Sequence, residues 1–453
     1  MIPQSISRVV VRKLFRTYDY ILEAAEEAID PHRLIILYGD NGTGKTTILR
    51  LLFHMLSPET GQGHKTALVS IPFAEFEIRL SSGDRVWIRR PEGKLTGSYT
   101  MGMKLGRRRE RTVDFRQNED GALNPTPETN QFLNALGDLN LALYFLSDDR
   151  SVRFAGVGDL DSPYFTSEYF DEEMLLGSDV QGRIIRRRLR HDVEQRAQLL
   201  LQQSIRRSEM WLQSQAVRGA SQGESSVNLL YGEILKRISS LPLSSQVAPQ
   251  PKIEGLQKRI QKLELRSREF SRYGLVPEFQ AKDIVAAIKQ APKTHVEVIR
   301  TVVTPYIESV EKKLEAMESL QRRIDTLVGL LNSFYRDKKL SYDVHEGFTI
   351  STAEGRVLQP QMLSSGERHL LLLFCNTIQA LDKPSLFVID EPEISLNIKW
   401  QRRLLSALLK CAEGQPVQYI LATHSLELLA QYRNNAIRLE PESEVTSGTA
   451  ADD

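Results

Sequence analysis

The sequence lacks most features of secreted, membrane-inserted or zinc-stapled proteins. Only two of its 453 residues are cysteines, Cys375 and Cys411, and no C-x-x-C pair occurs. This argues against a disulfide framework or a zinc site and favours two buried thiols. No apolar run approaches the roughly 20 residues that span a bilayer, and residues 1–11 lack the apolar segment of a signal peptide. We therefore expect a cytoplasmic protein without membrane contact.

An excess of charge of one sign is also missing. The chain has 59 basic and 58 acidic residues and a net charge of +1, so no global field attracts nucleic acid. Local arginine runs do occur, at residues 107–111 and 186–190. A hydrophobic content of 41% is ample for a core, and the length suits two or three domains.

The stretch around which the chain is organised is an apolar run at residues 385–389 that ends in Asp390, Glu391 and Glu393. Apolar residues on both faces are typical of a central parallel strand. Carboxylates at its carboxyl end would project into the crevice where such sheets bind ligands. One acid could hold Mg²⁺ and the next could activate water, provided that a phosphate site lies elsewhere in the chain.

Residues 39–46 predict that phosphate site, because they read G-x-x-x-x-G-K-T. A buried strand is predicted just before them, at residues 34–38, and an apolar helical pattern follows, which is the context of a P-loop. The glycines let backbone N–H groups turn toward the phosphates, and the helix N-terminus adds a favourable dipole. Lys45 is expected to neutralise phosphate charge, and Thr46 to ligate Mg²⁺. Matching flanks disfavour the alternative of a chance glycine-rich turn.

The rest of the N-terminal region predicts further β-structure. Residues 6–15 and 141–146 read as strands, and residues 74–90 read as a β-hairpin. Between about 92 and 130 the chain is polar, glycine-rich and basic, which predicts a mobile surface loop. Phosphate contact by the arginines of residues 107–111 is the alternative.

Residues 181–336 change to helical periodicity, which predicts a separate arm. Two series of apolar residues step by three and four, at 253–263 and 307–331. The longer series predicts a helix of roughly 40 to 50 Å at 1.5 Å per residue. An ordinary helical subdomain is the alternative. After the arm, residues 340–344 and 348–352 predict two strands.

Two more stretches suit a nucleotide site. The sequence Leu-Ser-Ser-Gly-Glu at residues 363–367 precedes an apolar helix over 370–378, so hydroxyls and unpaired N–H donors would form an anion site. Alone, this stretch would be only a helix cap. A strand over 419–423 ends at His424, which in the same sheet would face the same crevice as Asp390.

Four motifs in chain order resemble those of ABC-type ATPases, more narrowly of the SMC, RecF and OLD branch. They are the P-loop at 39–46, the Leu-Ser-Ser-Gly-Glu stretch at 363–367, the acidic strand end at 390–393 and the strand that ends at His424. The resemblance implies an α/β fold, namely an ABC-type P-loop ATPase head with a mixed sheet and flanking helices, interrupted by a helical, partly coiled-coil arm. The implied division is an N-terminal head lobe at 1–180, the arm at 181–336, a C-terminal head lobe at 337–440 and a disordered tail at 441–453.

The resemblance also implies ATP hydrolysis, with ATP and Mg²⁺ as cofactors. Catalysis would then depend on Lys45, on Glu391 to orient the attacking water and on His424 to sense the γ-phosphate, while Thr46 and Asp390 would hold Mg²⁺. Ser364, Ser365 and Gly366 would contact the nucleotide held by the facing subunit of a head dimer. The full set of residues expected to bind nucleotide is Gly39, Asn41, Gly42, Thr43, Gly44, Lys45, Thr46, Thr47, Ser364, Ser365, Gly366 and Glu367.

The resemblance implies two further roles, one in contact between heads and one in coupling to the arm. Ser395 and Leu396 would form the loop that crosses to the partner head. Gln131 is a weak candidate for the glutamine that couples Mg²⁺ to the arm. Asn397 departs from the pattern, because OLD relatives often carry histidine there.

No metal-binding TOPRIM nuclease domain follows His424 in this sequence, and no C-x-x-C marks the arm tip. An arm-bearing ATPase of this kind resembles the ATPases of bacterial two-gene anti-phage systems, with the PARIS type closest in layout. That resemblance implies a homo-oligomer that holds a separate TOPRIM nuclease and releases it when a phage-encoded protein is sensed.

Two other functions compete with this interpretation. A RecF-type repair or recombination ATPase would grip DNA phosphates through Arg186, Arg187, Arg188 and Arg190. An ABC transporter subunit is less favoured, because its nucleotide-binding half would ordinarily lack such an arm.

Overall fold

The structure is a computed structural model that describes residues 4–23, 28, 30, 32–60, 62–118, 123, 125–148, 152–155, 197–221, 253–290 and 296–440. The chain divides into two compact units, the first of residues 1–200 and 379–453 and the second of residues 201–378. The arginine run at 186–190 and the predicted tail at 441–453 lie outside the described residues.

The strands and helices of the described residues are numbered in chain order. The strands are β1 (Ile6–Leu14), β2 (Tyr18–Glu23), β3 (Leu34–Tyr38), β4 (Glu75–Leu80), β5 (Arg85–Arg89), β6 (Tyr99–Lys104), β7 (Arg111–Phe115), β8 (Ala142–Leu146), β9 (Val152–Ala155), β10 (Lys338–Asp343), β11 (Gly347–Thr352), β12 (Val357–Leu358), β13 (Ser385–Asp390), β14 (Val417–Thr423) and β15 (Ala436–Arg438). The helices are α1 (Lys45–Leu56), α2 (His64–Ser70), α3 (Pro127–Gly137), α4 (197–221), α5 (Ile253–Ser271), α6 (Ala281–Gln290), α7 (Val296–Phe334), α8 (Ser365–Gln379), α9 (Ile398–Cys411) and α10 (Leu426–Leu429).

The first unit contains a mostly parallel sheet in the order β15–β3–β14–β13–β8–β9. All of its neighbouring strands run parallel except β9, which is antiparallel to β8. Every residue of β13 and β14 is buried, which explains why these strands read as continuous apolar runs. Since the strands are parallel, Tyr38, Asp390 and Thr423 end them at the same edge of the sheet.

The same unit holds an antiparallel sheet in the order β2–β1–β4–β5–β6–β7. Strand β1 and the β4–β5 hairpin confirm the predictions for residues 6–15 and 74–90. The prediction of a surface loop over 92–130 is wrong where β6 and β7 form. Gly102, which suggested a loop, instead lets strands pack closely, because a Cβ there would lie 2.2 Å from the Trp87 ring.

Helices α5 and α7 and residues 201–221 of α4 belong to the second unit, and they confirm the predicted helical character of the arm. Helix α7 has 39 residues, so at 1.5 Å per residue it is about 58 Å long, somewhat longer than predicted. Buried apolar residues follow the predicted spacing along α7, namely Ile307, Leu314, Met317, Ile324 and Leu331.

Helices α5 and α7 run parallel, as three polar pairs between them show. Arg259 Nε donates to Glu311 over 2.9 Å, Arg266 Nη2 donates to Glu318 over 3.0 Å, and the Tyr273 hydroxyl, just beyond α5, donates to Asp325 over 2.7 Å. Each pair is separated by 52 residues in the sequence. The pairs therefore recur at every seventh residue of both helices, which is the spacing of a coiled coil.

The second unit also contains the antiparallel sheet β10–β11–β12, whose first two strands confirm the prediction for residues 340–352. Helix α8 follows it. The compact units thus divide the chain differently from the predicted lobes, because β10 to β12 and most of α8 group with the arm helices. The four-part division remains a prediction.

Cys375 and Cys411 are both buried and form no disulfide. Burial raises the pKa of the Cys375 thiol to about 12, so this thiol stays protonated at neutral pH. No helix in the described part of the chain combines the length and the apolar character needed to cross a bilayer.

Candidate functional site

The loop at residues 39–44 connects β3 to α1 and has the conformation that its glycines permit. Gly44 precedes α1 with φ at +91°, and a Cβ there would lie 2.6 Å from Leu14 Cδ2. Only glycine fits this position without a shift of Leu14. The Thr43 carbonyl accepts a hydrogen bond from the Tyr20 hydroxyl over 2.9 Å, so strand β2 supports the loop. Burial raises the pKa of Tyr20 to about 12, which keeps the phenol a donor at neutral pH.

Lys45 is the first residue of α1, and its side chain extends back into this loop. Its side chain is only 5% exposed, and Nζ donates to the carbonyl oxygens of Gly39 and Asp40, each over 3.0 Å. Burial lowers the pKa of Lys45, while the carboxylates of Glu391 and Asp390 act in the opposite direction. An ammonium group is thus held where the loop would meet a phosphate.

Asp390 ends β13 and is the least satisfied acid of the site. It is 2% exposed, and neither carboxylate oxygen has a hydrogen-bond partner among the described residues. Burial raises its pKa, against the influence of the neighbouring Thr46 hydroxyl and of Arg50 and Lys45. A buried carboxylate without a partner, next to a hydroxyl, fits a hard divalent cation that takes oxygen ligands.

The protein ligands for such a cation would be few. Among the described residues no group of three His, Cys, Asp or Glu side chains is arranged to hold a metal. Mg²⁺ usually keeps several waters and binds one or two carboxylates together with substrate phosphates, so Asp390 and Thr46 suffice as a protein contribution. Asp148, just after β8, is close enough to raise the pKa of Asp390 and adds a further acid that sequence reasoning did not assign.

Glu391 and His424 face each other across the ends of β13 and β14. His424 Nε2 lies 3.4 Å from Glu391 Oε1, and the Glu391 backbone N–H donates to the Ala422 carbonyl over 2.9 Å. Burial, together with contact to the Glu393 carboxylate, raises the pKa of Glu391 to about 8. Burial and the charge of Lys45 lower the pKa of His424, so its imidazole is neutral at pH 7.

Glu393 was not assigned a role from the sequence, yet it joins the two loops. Its Oε1 accepts hydrogen bonds from Thr423 Oγ1 over 2.6 Å, from the His424 N–H over 2.9 Å and from the Ser425 N–H over 3.0 Å. The only sequence signal for it is the second acid of D-E-P-E. Its partners lie about thirty residues away in the chain, where no local motif points to them.

The signature residues lie at the start of α8, in the second unit. The Ser364 N–H donates to Glu367 Oε2 over 2.7 Å, and the Glu367 N–H donates to Ser364 Oγ over 3.3 Å, which is a capping box. Lys338 Nζ donates to both Glu367 oxygens, over 2.9 and 3.0 Å. Burial by itself would raise the pKa of Glu367, but Lys338 and Ser364 hold it below its usual value. The Glu367 carboxylate therefore serves the helix cap, while Ser364 is exposed and Ser365 half-buried.

The other predicted residues are placed as follows. Asn41 and Gly42 are exposed in the loop after β3, and Thr47 is half-buried in the first turn of α1. Ser395 has φ at +67°, and Leu396 beside it is buried. Gln131 is exposed on α3, which packs against β7, and its proposed coupling role remains a prediction.

A protein-family model matches the later part of the chain. Residues 252–430 match the model described as "AAA domain, putative AbiEii toxin, Type IV TA system". The match covers less than half of the chain, and it includes the signature, Asp390 and His424 but not residues 39–46. This part of the chain is thus similar to AAA-type ATPase domains. No curated protein matches the chain.

Several solved structures of SMC heads are similar to the chain, each with a TM-score of 0.35. The Smc head of Pyrococcus furiosus, with an extended coiled coil bound to the C-terminal domain of ScpA, has 12% identity over 94% of this chain and 92% of that chain. The Smc head of Pyrococcus yayanosii, with a coiled coil and joint, has 15% identity over 94% and 93%. An SmcHead bound to the C-winged helix domain of ScpA has 11% identity over 94% and 92%.

Proposed function

We propose that the protein is an ATPase that binds ATP with Mg²⁺ at the carboxyl edge of its parallel sheet. The observation that carries this proposal is the convergence of Lys45, Asp390 and Glu391 at that edge, with His424 beside them. Lys45 supplies positive charge inside a glycine loop, and Asp390 is a buried carboxylate without a partner. This combination stabilises no fold by itself, but it fits a phosphate chain with its cation.

Each side chain has a physical task in hydrolysis. Lys45 exchanges its two loop carbonyls for phosphate oxygens, whose negative charge it neutralises. Mg²⁺, held by Thr46 and Asp390, supplies further charge neutralisation at the phosphates. Glu391 orients and polarises the attacking water as a carboxylate, and because its pKa is about 8 in the nucleotide-free chain, this form becomes more populated as pH rises above 7. His424, a neutral imidazole 3.4 Å from Glu391, has an N–H available for the γ-phosphate.

Substitution of Lys45 tests this function directly. In Lys45→Ala, kcat/KM for ATP should fall by about 10³-fold or more, because the charge that meets the phosphates is removed. Phosphate release and fluorescent-nucleotide binding are the measurements. Lys94→Ala, at an exposed lysine of the same unit, is the matched control and should behave like the wild type. Equal turnover in Lys45→Ala and Lys94→Ala would contradict the proposal.

The finer function that we favour is that of a sensor and scaffold in anti-phage defence. The order of P-loop, helical segment, signature and acidic strand end is similar to that of AriA from the PARIS system, whose companion AriB is a TOPRIM nuclease. The matching family model is described as a putative toxin of a type IV toxin–antitoxin system, which suits a chain that works in a system of two components.

In this function the chain assembles as a homo-oligomer through ATP-dependent engagement of heads. Ser364, Ser365 and Gly366 of one subunit contact the nucleotide that Lys45 of its neighbour holds. The oligomer sequesters a separate nuclease, and a phage-encoded protein triggers release. The exposure of Ser364 at the start of α8 supports this contact, because its hydroxyl is accessible to a ligand.

The mass of the native particle tests this assembly. The chain is expressed with and without the protein encoded next to it, and native mass spectrometry is performed with ATP and Mg²⁺. A homo-oligomer that retains the neighbouring protein is expected. A chain that stays monomeric with ATP and does not bind the neighbouring protein would contradict the scaffold function. The ATPase proposal would not be affected by that result.

A DNA-binding repair ATPase is the second candidate, and one observation favours it. Lys104, Arg107, Arg109 and Arg111 are exposed around the β6–β7 turn, and none forms an ion pair with another described residue. Arg108 between them is paired with Asp138 over 2.7 Å. Cations without acidic partners on a surface are suited to phosphates.

Salt-dependent DNA binding separates the two candidates. If DNA is the ligand, the joint substitution Arg107→Gln and Arg109→Gln should reduce the slope of log K against log salt by about 2. Arg108→Gln is the matched control, because its side chain already has a partner. Absence of DNA binding by the wild type at low salt would exclude this candidate.

A further inference from the structure

Glu393 occupies a junction that nucleotide binding alone does not explain. One oxygen of its carboxylate accepts from three donors of consecutive residues, Thr423, His424 and Ser425, over 2.6, 2.9 and 3.0 Å. Consecutive N–H groups that point to one position form a natural anion site. In this chain the site is filled by the protein's own carboxylate, which comes from the loop after β13.

The backbone around Glu393 is strained on both sides. Glu391 has φ at +49° and Ser395 has φ at +67°, a region that residues with a Cβ rarely adopt. Two tight turns lie between them, with the Ile394 N–H donating to the Glu391 carbonyl and the Leu396 N–H donating to the Glu393 carbonyl. Such a conformation persists only where the surroundings hold it, and the anchor at Glu393 contributes to this together with the bond from the Glu391 N–H to the Ala422 carbonyl.

The donors of this anchor are themselves fixed in place. Thr423 is fully buried at the end of β14, and its Oγ1 both donates to Glu393 and accepts from the Ser425 N–H over 2.9 Å. Ser425 caps α10, because its Oγ accepts from the Leu428 N–H. Glu393 is therefore attached to a rigid strand end and not to a mobile side chain.

We infer that Glu393 is a positioning residue, whose bond to residues 423–425 joins the loop of Glu391 to the loop of His424 and sets the distance between these two side chains. The inference rests on the proposed ATPase function. Glu393 acts through Glu391 and His424, because its Oε1 binds the second loop while its carboxylate also contacts Glu391. Loss of the anchor should misplace the water-orienting group while leaving the P-loop intact.

The first test separates kcat from KM. Glu393→Ala should lower kcat by about 10- to 100-fold, because a shift of about 1 Å in a catalytic group is enough for such a loss. KM and nucleotide affinity should stay within about threefold of wild type, since Lys45 and the glycine loop are unchanged. Glu393→Gln keeps an acceptor oxygen and should recover most of the activity. Glu413→Gln, at an exposed acid of the same unit, is the control.

A second pair of variants removes the anchor without touching Glu393. Thr423→Val deletes the donor hydroxyl at nearly the same volume, and Thr423→Ser keeps it. Thr423→Val should reduce kcat by about tenfold, and Thr423→Ser should be close to wild type. This pair keeps the inference testable if Glu393→Ala fails to fold.

Amide hydrogen exchange tests the anchor in a way that does not depend on ATP hydrolysis. In nucleotide-free Glu393→Ala, the amides of His424 and Ser425 should exchange at least about tenfold faster than in wild type, while those of β3 remain protected. Unchanged exchange and unchanged kcat in Glu393→Ala would overturn the inference, as would a loss of activity that appears equally in KM. If the wild-type protein does not hydrolyse ATP, the ATPase proposal is wrong. The exchange measurement would still decide whether Glu393 holds the two loops together.

Discussion

Two regions were predicted to contact nucleotide, the edge of the parallel sheet in the first unit and the start of α8 in the second unit. They differ in whether their buried carboxylates have hydrogen-bond partners. At the sheet edge, Asp390 is buried without a hydrogen-bond partner among the described residues, and burial raises the pKa of Glu391 to about 8. At α8, both oxygens of Glu367 accept from Lys338, and one also accepts from the Ser364 N–H.

The difference indicates where a ligand belongs. A buried carboxylate without a partner has an energetic cost that a folded protein normally avoids. Where that cost is retained, the missing partner is expected from outside the chain. Where the charges are satisfied internally, as at Glu367, the carboxylate stabilises the fold, and the group left for a ligand is the exposed Ser364 hydroxyl beside it.

The largest effect is expected at the water-orienting residue of the sheet edge. Glu391→Gln should reduce ATP turnover by about 10²- to 10³-fold, because the amide cannot accept a proton from water. ATP binding should persist, so engaged heads should accumulate, as measured by nucleotide affinity and by native mass with ATP. Turnover equal to wild type would remove the assigned role of Glu391 and weaken the contrast between the two regions.

Stability should respond in opposite directions at the two regions. Asp390→Asn should stabilise the nucleotide-free first unit by about 1 kcal/mol, because a buried charge without a partner is neutralised. Glu367→Gln should destabilise the second unit by about 1 to 3 kcal/mol, because Lys338 loses its charged partner. Calorimetric unfolding of both variants is the measurement. The same sign for both variants would refute the contrast.

The dependence of stability on pH should also distinguish the regions. The pKa of Glu391 is raised in the folded protein, so its contribution to stability is complete below the unfolded value near 4.5 and is lost as pH rises through about 8. Between pH 6 and 9 the wild-type Tm should therefore fall by about 2 °C more than that of Glu391→Gln. Glu367 behaves in the reverse sense, because its folded pKa is lowered and its contribution is lost only as pH falls into the acid range.

The smallest effect on the free energy of unfolding is expected for the ion pairs between α5 and α7, which are accessible to solvent. Arg259→Gln should cost only about 0.5 kcal/mol, since ion pairs near the surface contribute little. Thermal unfolding at low and high salt is the measurement, with Lys258→Gln at an exposed lysine as control. A loss as large as that of Glu367→Gln would show that burial does not govern these differences.

The sequence was most informative where structure is local. Strands β3, β13 and β14 were predicted because parallel strands covered on both faces are continuously apolar, and the site residues that end them followed from that. Strands β6 and β7 were missed because glycine and arginine dominate their region. The reason for Gly102 is the Trp87 ring on a neighbouring strand, which no local pattern reveals.

Contacts between distant residues account for what was missed at the site. Tyr20 supports Thr43 from 23 residues away, and Glu393 binds residues about thirty positions further on. Glu367 shows the reverse difficulty, because Ser-x-x-Glu at a helix start has the same letters whether it contacts nucleotide or closes a capping box. The hydrogen bonds of Glu367 to Ser364 and to Lys338 distinguish the two uses.

The fixed offset of 52 residues between α5 and α7 has a mechanical consequence. Because the cross-helix pairs recur every seven residues, sliding α7 along α5 would break all of them until a full step of about 10 Å had been made. Axial displacement of α7 is therefore not absorbed by gradual slippage. At the end of α7, the Phe334 ring centroid lies 6.1 Å from that of Phe374 on α8, so an axial shift of α7 would have to be accommodated by the helix that begins with Ser365.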